Sequence, residues 1–490
     1  MEANAGLGSP VAIFQPLTSF YLALPLQFLR DYDPHGYGRL MMVNSALIFL
    51  GGLAMYRWLM EHMDHTRAQA GAILYIFWGG MGRLADGHSA AFCVFLIVPV
   101  FMWVARRIAD NPSYYLPHYA FVQALLILSH LPSTVIFSAI PGLYALINAP
   151  SGKRMHLMLA LTLAVLVALM LSAIYWLPLT GNESFIRSHL YTNWFHSPEM
   201  HFPRFLKHVS LPDTFYWPGI VSVMASLIIF ASMLWIVKSE KPLSPDKSPV
   251  IFFCAMYLVA MFMIFSSSRW LWENFELLKK LQFSIRFGLV THLCLIFLLS
   301  YWYHKLKGHS FCYPLVIFLT VAGLIFHANY RYDDTHQDYW QRVEQYKLVP
   351  HKSHMTHAMR RAGIVQPLDP PAHFLNVPES EILEGEAEVI LMIQGVNEIF
   401  IDVEVTSPQA EIALKRYHYP GWKIISPTLP RIDVIERGAL LTLRAPQGTH
   451  DIEMVQHIPK VREANLISWA GLGLLIMIAG FVRRYKLAVS

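Results

Sequence analysis

Apolar runs close to the length of a membrane span recur along most of this 490-residue chain. A bilayer's hydrocarbon layer is about 30 Å thick, which an α-helix of about 20 apolar residues crosses. Such runs, or runs somewhat short of that length, occur near residues 40–58, 68–82, 90–105, 118–130, 132–147, 157–178, 218–237, 249–266, 286–303, 313–328 and 466–483. With no water to satisfy the backbone inside lipid, these runs have to be helices. Composition agrees: 55% of residues are hydrophobic and 14% charged, where soluble domains carry about 25% charged residues. The expected fold is a polytopic α-helical membrane protein with about eleven transmembrane helices.

The two short runs flanking Ser129-His130-Leu131-Pro132 can be read as two spans or as one helix kinked at Pro132. If both cross, Arg106-Arg107, Lys153-Arg154, Lys238 to Lys247, Lys305 with Lys307, and Arg483 to Lys486 fall on one side, the cytoplasmic one by the positive-inside rule. On this count the net charge of +5 reflects topology rather than nucleic-acid binding. The opposite face then carries residues 30–39, 83–89, His130, 180–217, 267–285 and a large polar block. Phe14 to Leu29 cannot cross without breaking the alternation, so it is expected to lie at the interface.

The polar block, residues 329–465, contains alternating segments at 388–393, 398–405, 411–417, 422–426, 431–436, 440–443 and 451–456. Pro420-Gly421, Gly438 and Gln447-Gly448 punctuate them, which predicts an extracytoplasmic antiparallel β-sandwich before the last helix. Four domains follow: an outer-face loop with interfacial helix (1–39), the multi-span region (40–328), the β-rich domain (329–465), and a C-terminal anchor with a cytoplasmic tail (466–490). The chain is expected to be a multi-pass membrane protein with its large domain extracytoplasmic.

Candidate chemistry collects on the outer face. In Arg83-Leu84-Ala85-Asp86-Gly87-His88, a carboxylate beside an imidazole can act as base, phosphate partner or metal ligand, or can simply form a solvated turn. His130 lies where Pro132 frees backbone carbonyls, so it is either a helix-end hydrogen-bonding partner or a substrate contact. Arg286 suits bidentate phosphate binding, and equally suits an interfacial Arg reaching to headgroups. Residues 180–217 hold Glu183, Arg187, His189, Trp194, His196 and His201, aromatics interleaved with polar groups of the kind that stack on and bind a sugar. No strict zinc-ligand spacing exists among the histidines or the four cysteines, and neither Gly6 to Pro10 nor Gly36 to Gly38 sits in a nucleotide-binding context. No metal and no cofactor are expected.

Several stretches together resemble one family: Asn4-Ala5-Gly6-Leu7-Gly8-Ser9-Pro10-Val11-Ala12-Ile13-Phe14-Gln15-Pro16-Leu17, Ile127-Leu128-Ser129-His130-Leu131-Pro132, Tyr175-Trp176-Leu177-Pro178-Leu179, Leu281-Gln282-Phe283-Ser284-Ile285-Arg286-Phe287 and Tyr417-His418-Tyr419-Pro420-Gly421-Trp422-Lys423. The chain resembles the bacterial integral membrane proteins labelled 6-pyruvoyl-tetrahydropterin synthase-related, which are similar to GT-C class glycosyltransferases. The label does not imply pterin chemistry, since nothing here supplies that synthase's soluble zinc-binding fold.

The resemblance implies an enzyme that transfers sugar from a polyprenyl-phosphate donor at the outer face. In that class an acidic residue of the first outer loop acts as base or positions the acceptor, and Glu2 is the acidic residue in the matching stretch here. The helix that ordinarily precedes that loop is missing before Met1, so an upstream apolar helix is what the enzyme reading asks for. Phe283-Ser284-Ile285-Arg286 keeps the Arg of the family's Phe-Pro-Trp-Arg-like stretch but lacks its Pro and Trp. The expected catalytic residues are Asp86 or Glu2, with His88, His130, Arg286, Glu183, Arg187 and Trp194 binding substrate. Expected partners are membrane lipid, the lipid-linked donor, and a glycan or protein acceptor, with no nucleic acid. The alternative is a non-enzymatic lipid or polysaccharide flippase, or an envelope assembly factor, which predicts discontinuous helices and facing charges deep in the bundle.

Overall fold

A computed structural model of the chain describes residues 18–29, 32, 37–80, 89–181, 227, 231, 234, 248–281, 284–305, 380–394, 398–418, 421–426, 432–437 and 440–489. It contains two compact units, one helical and one built on a sheet, with the boundary in the last helix between Leu466 and Ile467.

The helical unit begins with α1 (Thr18–Ala23) and a 3-10 turn (Leu24–Leu29). These occupy the predicted interfacial segment and leave Tyr21, Leu24 and Phe28 exposed, while Thr18 Oγ1 donates to Leu128 O at 2.8 Å. Then come α2 (Tyr37–Leu59), α3 (His65–Leu74) running into a π-helical segment (Tyr75–Gly80), α4 (Ser89–Asp110) and α5 (Pro112–Ser129). Next are α6 (Leu131–Phe137), α7 (Ala139–Asn148), α8 (Arg154–Leu171) and α9 (Ala173–Gly181). After a stretch outside the described residues follow α10 (Ser248–Ile264), α11 (Arg269–Asn274), α12 (Glu276–Lys280), α13 (Gly288–Lys305) and, past the sheet, α14 (Val461–Val489).

Five described helices are long and apolar enough to cross a membrane, and six if α10 and α11 count as one broken span bent by 81°. The predicted runs at 218–237 and 313–328 lie outside the described residues apart from three isolated positions, so eleven spans are not what the described residues show. The question at His130 is settled: the residue is extended (φ −166°, ψ 101°), ending α5 and starting α6. Lys153 Nζ then donates to Asp110 O at 3.0 Å and Ser113 meets His156 at 3.0 Å. The chain has therefore gone out along α5 and come back along α6–α7, which a single kinked helix could not do.

The helical core gathers Trp58, Phe101, Tyr119, Tyr144, Phe253 and Phe297, each buried to 1% exposure or less. Helix axes approach closely through glycine, as lipid-embedded bundles require where no hydrophobic force separates helix from solvent. A Cβ at Gly51 would stand 3.1 Å from Phe95 O, and one at Gly471 on α14 would stand 2.8 Å from Leu171 N at the end of α8. Backbone cannot swing aside as a side-chain tip can.

The second unit is one six-stranded antiparallel sheet: β1 (Ser380–Glu384), β2 (Ala387–Gln394), β3 (Glu398–Tyr417), β4 (Trp422–Ile424), β5 (Asp433–Arg437) and β6 (Leu440–Gln456). β3 and β6 pair along their whole length; β1 and β2 share the outer edge of β3, and β4 and β5 that of β6. Instead of the two separate sheets expected of a sandwich, two long strands bend together. In β3 the buried residues change from odd positions (Ile399, Ile401, Val403, Val405) to even ones (Ala410, Ile412, Leu414) across Ser407-Pro408. In β6 they change from Leu441, Leu443 and Ala445 to Ile452 and Met454 across Pro446 to Gly448, where Gly448 has φ +135°. A bulge moves every later side chain to the other face. With both strands bulged at one level, the two half-sheets enclose a single core.

Buried Glu411 ties the strands at the half-sheet holding β1 and β5. It accepts from Arg444 Nε at 3.0 Å, from Arg444 Nη2 at 2.7 Å and from Arg437, whose other nitrogen donates to Glu384 at 2.6 Å. On the other half-sheet, Asp402 directly faces Asp451.

Two outcomes follow from this packing. Gly471→Ala is expected to destabilise the protein by about 1–3 kcal/mol through overpacking against backbone, while Gly473→Ala, with open space around it, is expected to be neutral or slightly stabilising; thermal unfolding in detergent compares them. The Asp402 carboxyl is held above its ordinary range by desolvation and by Asp451, whereas the hydrogen bond and charge of Arg437 hold Glu384 below it. A raised carboxyl pKa gives stability that is present in acid and fades as pH rises through the folded value; a lowered one gives stability that is lost as pH falls through the folded value. Asp402→Asn is therefore expected to raise the sheet's melting temperature at neutral pH, with the difference narrowing as pH falls through the ordinary carboxylate range.

Candidate functional site

Two ends of the helical unit differ in chemistry. At one, the α2–α3 loop, the α4–α5 junction and the start of α8 meet. Glu61 accepts from Arg57 at 2.8 Å and from Arg107 at 2.7 Å, and Arg106 pairs with Asp110 at 2.7 Å. With Lys153 on Asp110 O, this assembles the predicted Arg106-Arg107 and Lys153-Arg154 clusters at one end. Just inside it, Trp58 Nε1 donates to Tyr144 Oη at 3.3 Å, and the Tyr144 hydroxyl in turn meets His62 Nε2. Burial first and Arg106 second push the His62 pKa down to about 3, so its imidazole is neutral. This chain of three side chains from α2, its following loop and α7 is structural: it satisfies polar groups that burial would otherwise orphan.

The other end is where the sequence places its candidate residues. Here α10 stops at Ile264 and the chain turns by 81° into α11. Breaking a span frees carbonyls that lipid cannot satisfy. Trp272 Nε1 donates to Met263 O at 3.2 Å, and Ser268 Oγ lies 3.2 Å from the same carbonyl and 2.9 Å from Phe265 O. Trp272 also meets Phe287 edge-on at 6.1 Å. Phe287 closes a 3-10 turn, Ser284–Phe287, that carries Arg286 and packs on both α10 and the start of α13. The Arg286 guanidinium donates to Leu281 O and is half-buried.

One turn and a half further, His292 on α13 lies 5.9 Å from the ring of Tyr75. Tyr75 stacks on Phe95 at 3.9 Å and donates to Phe95 O at 2.7 Å, which fixes the first residue of the π-helical segment. That segment also packs against α13. π-helical turns frequently mark functional positions, because the extra residue per turn redirects side chains.

His130 has a different role. Its Nδ1 accepts from Ser133 N–H at 3.3 Å and lies 2.7 Å from Ser133 Oγ, capping α6, so Nε2 carries the ring proton. Asp86, Glu2, His88, Glu183, Arg187 and Trp194 lie outside the described residues. Among the described residues no group of three or more His, Cys, Asp or Glu is placed to hold a metal ion.

Sequence reasoning missed Tyr75, His292, Trp272 and Arg39. His292 was visible as an ionisable residue within an apolar run. Arg39 looked like a flanking charge; it is buried at the start of α2, with Nη1 donating to Gln27 at 2.8 Å. Nothing in the sequence signalled Tyr75 or Trp272 beyond ordinary aromatic content.

The fold defines a polytopic helical membrane protein bearing an antiparallel sheet before its last helix. Residues 13–333 match the 6-pyruvoyl-tetrahydropterin synthase related domain, a membrane protein family, and the chain belongs to that family. Comparison with curated proteins and with solved structures gives no match.

Capping predicts a particular mutational pattern. His130→Ala is expected to cost about 0.5–2 kcal/mol of stability, while His130→Asn, which can also cap, retains most of it; thermal unfolding of the purified variants decides, and equal losses would remove the capping role.

Proposed function

We propose that this protein is a membrane glycosyltransferase that takes its sugar from a polyprenyl-phosphate donor at the outer face of the bacterial inner membrane. The observation that carries the reading is the placement of Arg286 on a turn at the start of α13, the helix against which the π-helical segment also packs. The basic end around Arg57, Arg106, Arg107 and Lys153 is read as cytoplasmic under the positive-inside rule, and the opposite end of the helical unit, with Arg286, as the outer face.

In the proposed reaction an acceptor hydroxyl attacks the anomeric carbon as its proton passes to the carboxylate of Asp86 or Glu2. The bond from that carbon to the lipid phosphate breaks, and the phosphate departs with the electron pair. Charge that grows on the leaving phosphate is stabilised more in the transition state than in the ground state by a fixed guanidinium. Arg286, tethered through Leu281 O, is such a group. His88, Glu183, Arg187 and Trp194 would bind the sugar and its carrier, and the sheet would hold a glycan or partner protein. His130 would bind substrate from the cap of α6, with its Nδ1 held by Ser133.

The broken α10–α11 span is the observation that favours the second reading, lipid or polysaccharide translocation by a discontinuous helix. The two separate in one experiment. Arg286→Ala is expected to lower donor-dependent sugar transfer by roughly 10²–10³-fold, the size of losing one oxyanion-type contact, with Asp86→Ala abolishing it and membrane levels intact. Arg286→Lys should recover only part, since an ammonium cannot make the bidentate contact. Unchanged glycan in both Ala variants sinks the assignment, and loss of lipid translocation without loss of transfer favours the alternative.

A further inference from the structure

The outward face of the sheet changes character along its strands. Ile393 faces Phe400, Phe400 faces Glu453, and Ile425 N–H donates to Glu453 O at 2.9 Å, so these four residues form a row across β2, β3, β6 and the end of β4. Ile393 is 59% exposed and Ile425 51%, with Leu391 at 44% on the same face. Two residues further back along β6 the row is acidic, Asp402 facing Asp451, and beyond that Glu388 faces Glu404. Leu391 lies opposite Asp402, and Ile390, 61% exposed, sits at the bulge behind it, so apolar surface runs back from the end row along β2 while Asp402, Glu404 and Asp451 lie on the two long strands.

That end is the one that enters the membrane. β6 finishes at Gln456 and α14 starts at Val461. The link is pinned: His457 N–H donates to Gly421 O at 2.7 Å, and a Cβ at Gly421 (φ +110°) would stand 2.2 Å from His457 O. At about 3.3 Å per residue the apolar row lies roughly 10 Å from the end of β6. The apolar stretch of α14, Val461–Arg484, has 24 residues. At 1.5 Å per residue it is about 36 Å long against a hydrocarbon layer of about 30 Å, so its first turn belongs in the headgroup zone.

We infer that the face formed by Leu391, Ile393, Phe400 and Ile425 rests on the interfacial layer of the bilayer that receives α14: a lipid surface is its partner. Removing this apolar row from water against acyl boundary and headgroups favours contact. Lys423 and Glu453, of opposite sign, fall at headgroup level, while the rows of Asp402, Asp451, Glu388 and Glu404 resist deeper approach by the cost of desolvating carboxylates. The inference stands apart from the proposed transfer reaction and does not need it.

The full-length chain in phosphatidylcholine nanodiscs, labelled once with a diazirine carried on lipid and once with a water-soluble diazirine, provides the test. Lipid-borne label is expected on Ile393, Phe400 and Ile425, with water-borne label dominating at Asp402, Glu404 and Asp451. Ile393→Asp with Ile425→Asp should shift Phe400 from lipid-borne to water-borne label. Equal lipid labelling of the two rows overturns the inference. So does protection of the apolar row from both probes, which would mean that a second copy or another protein covers it.

Discussion

A backbone amide or carbonyl inside lipid has no water to turn to, and the helical unit is arranged around that constraint. Wherever a span departs from a regular helix, a nearby group takes up the freed bond. His130 caps α6 at the reversal after α5. Trp272 and Ser268 serve the carbonyls at the break after α10. Tyr75, fixing the π-helical segment, bonds a carbonyl of α4. Such irregular points are costly, and the last two lie on elements that pack against α13, the helix that follows the turn carrying Arg286.

Polar side chains follow the same rule at the opposite end. Glu61 is shared by two arginines, and the neutral His62 ends a relay from Trp58 through Tyr144. Fixed partners leave these groups little freedom, which suits an anchor more than a reacting centre. The contrast supports seeking chemistry at the other end, where an arginine is tethered on a short turn beside a redirected chain.

The sequence made the sheet's strands legible and left their joining hidden. Alternation located 398–405, 411–417, 440–443 and 451–456, but Thr406-Ser407-Pro408 and Pro446-Gln447-Gly448 read as breaks between strands. They are bulges inside β3 and β6, because the two irregular stretches face one another and the ladder resumes beyond them. β1 escaped notice since two of its five residues are acidic, one of them paired with Arg437 from another strand. Similarly, Arg39 reads as a loop charge until α1 and its following turn are packed over the start of α2.

Hydropathy and charge order by themselves determined that the chain lives in a membrane, that a polar β block precedes the last helix, and that Arg106-Arg107 and Lys153-Arg154 share an end. These properties follow from local composition and the solvent each segment needs, so they can be read one segment at a time. Tertiary structure alone decided that His130 reverses the chain and caps a helix, that His292 meets Tyr75, and that one bent sheet replaces two. Each of those depends on which residues distant in sequence become neighbours, and pattern within a segment carries no record of its partner.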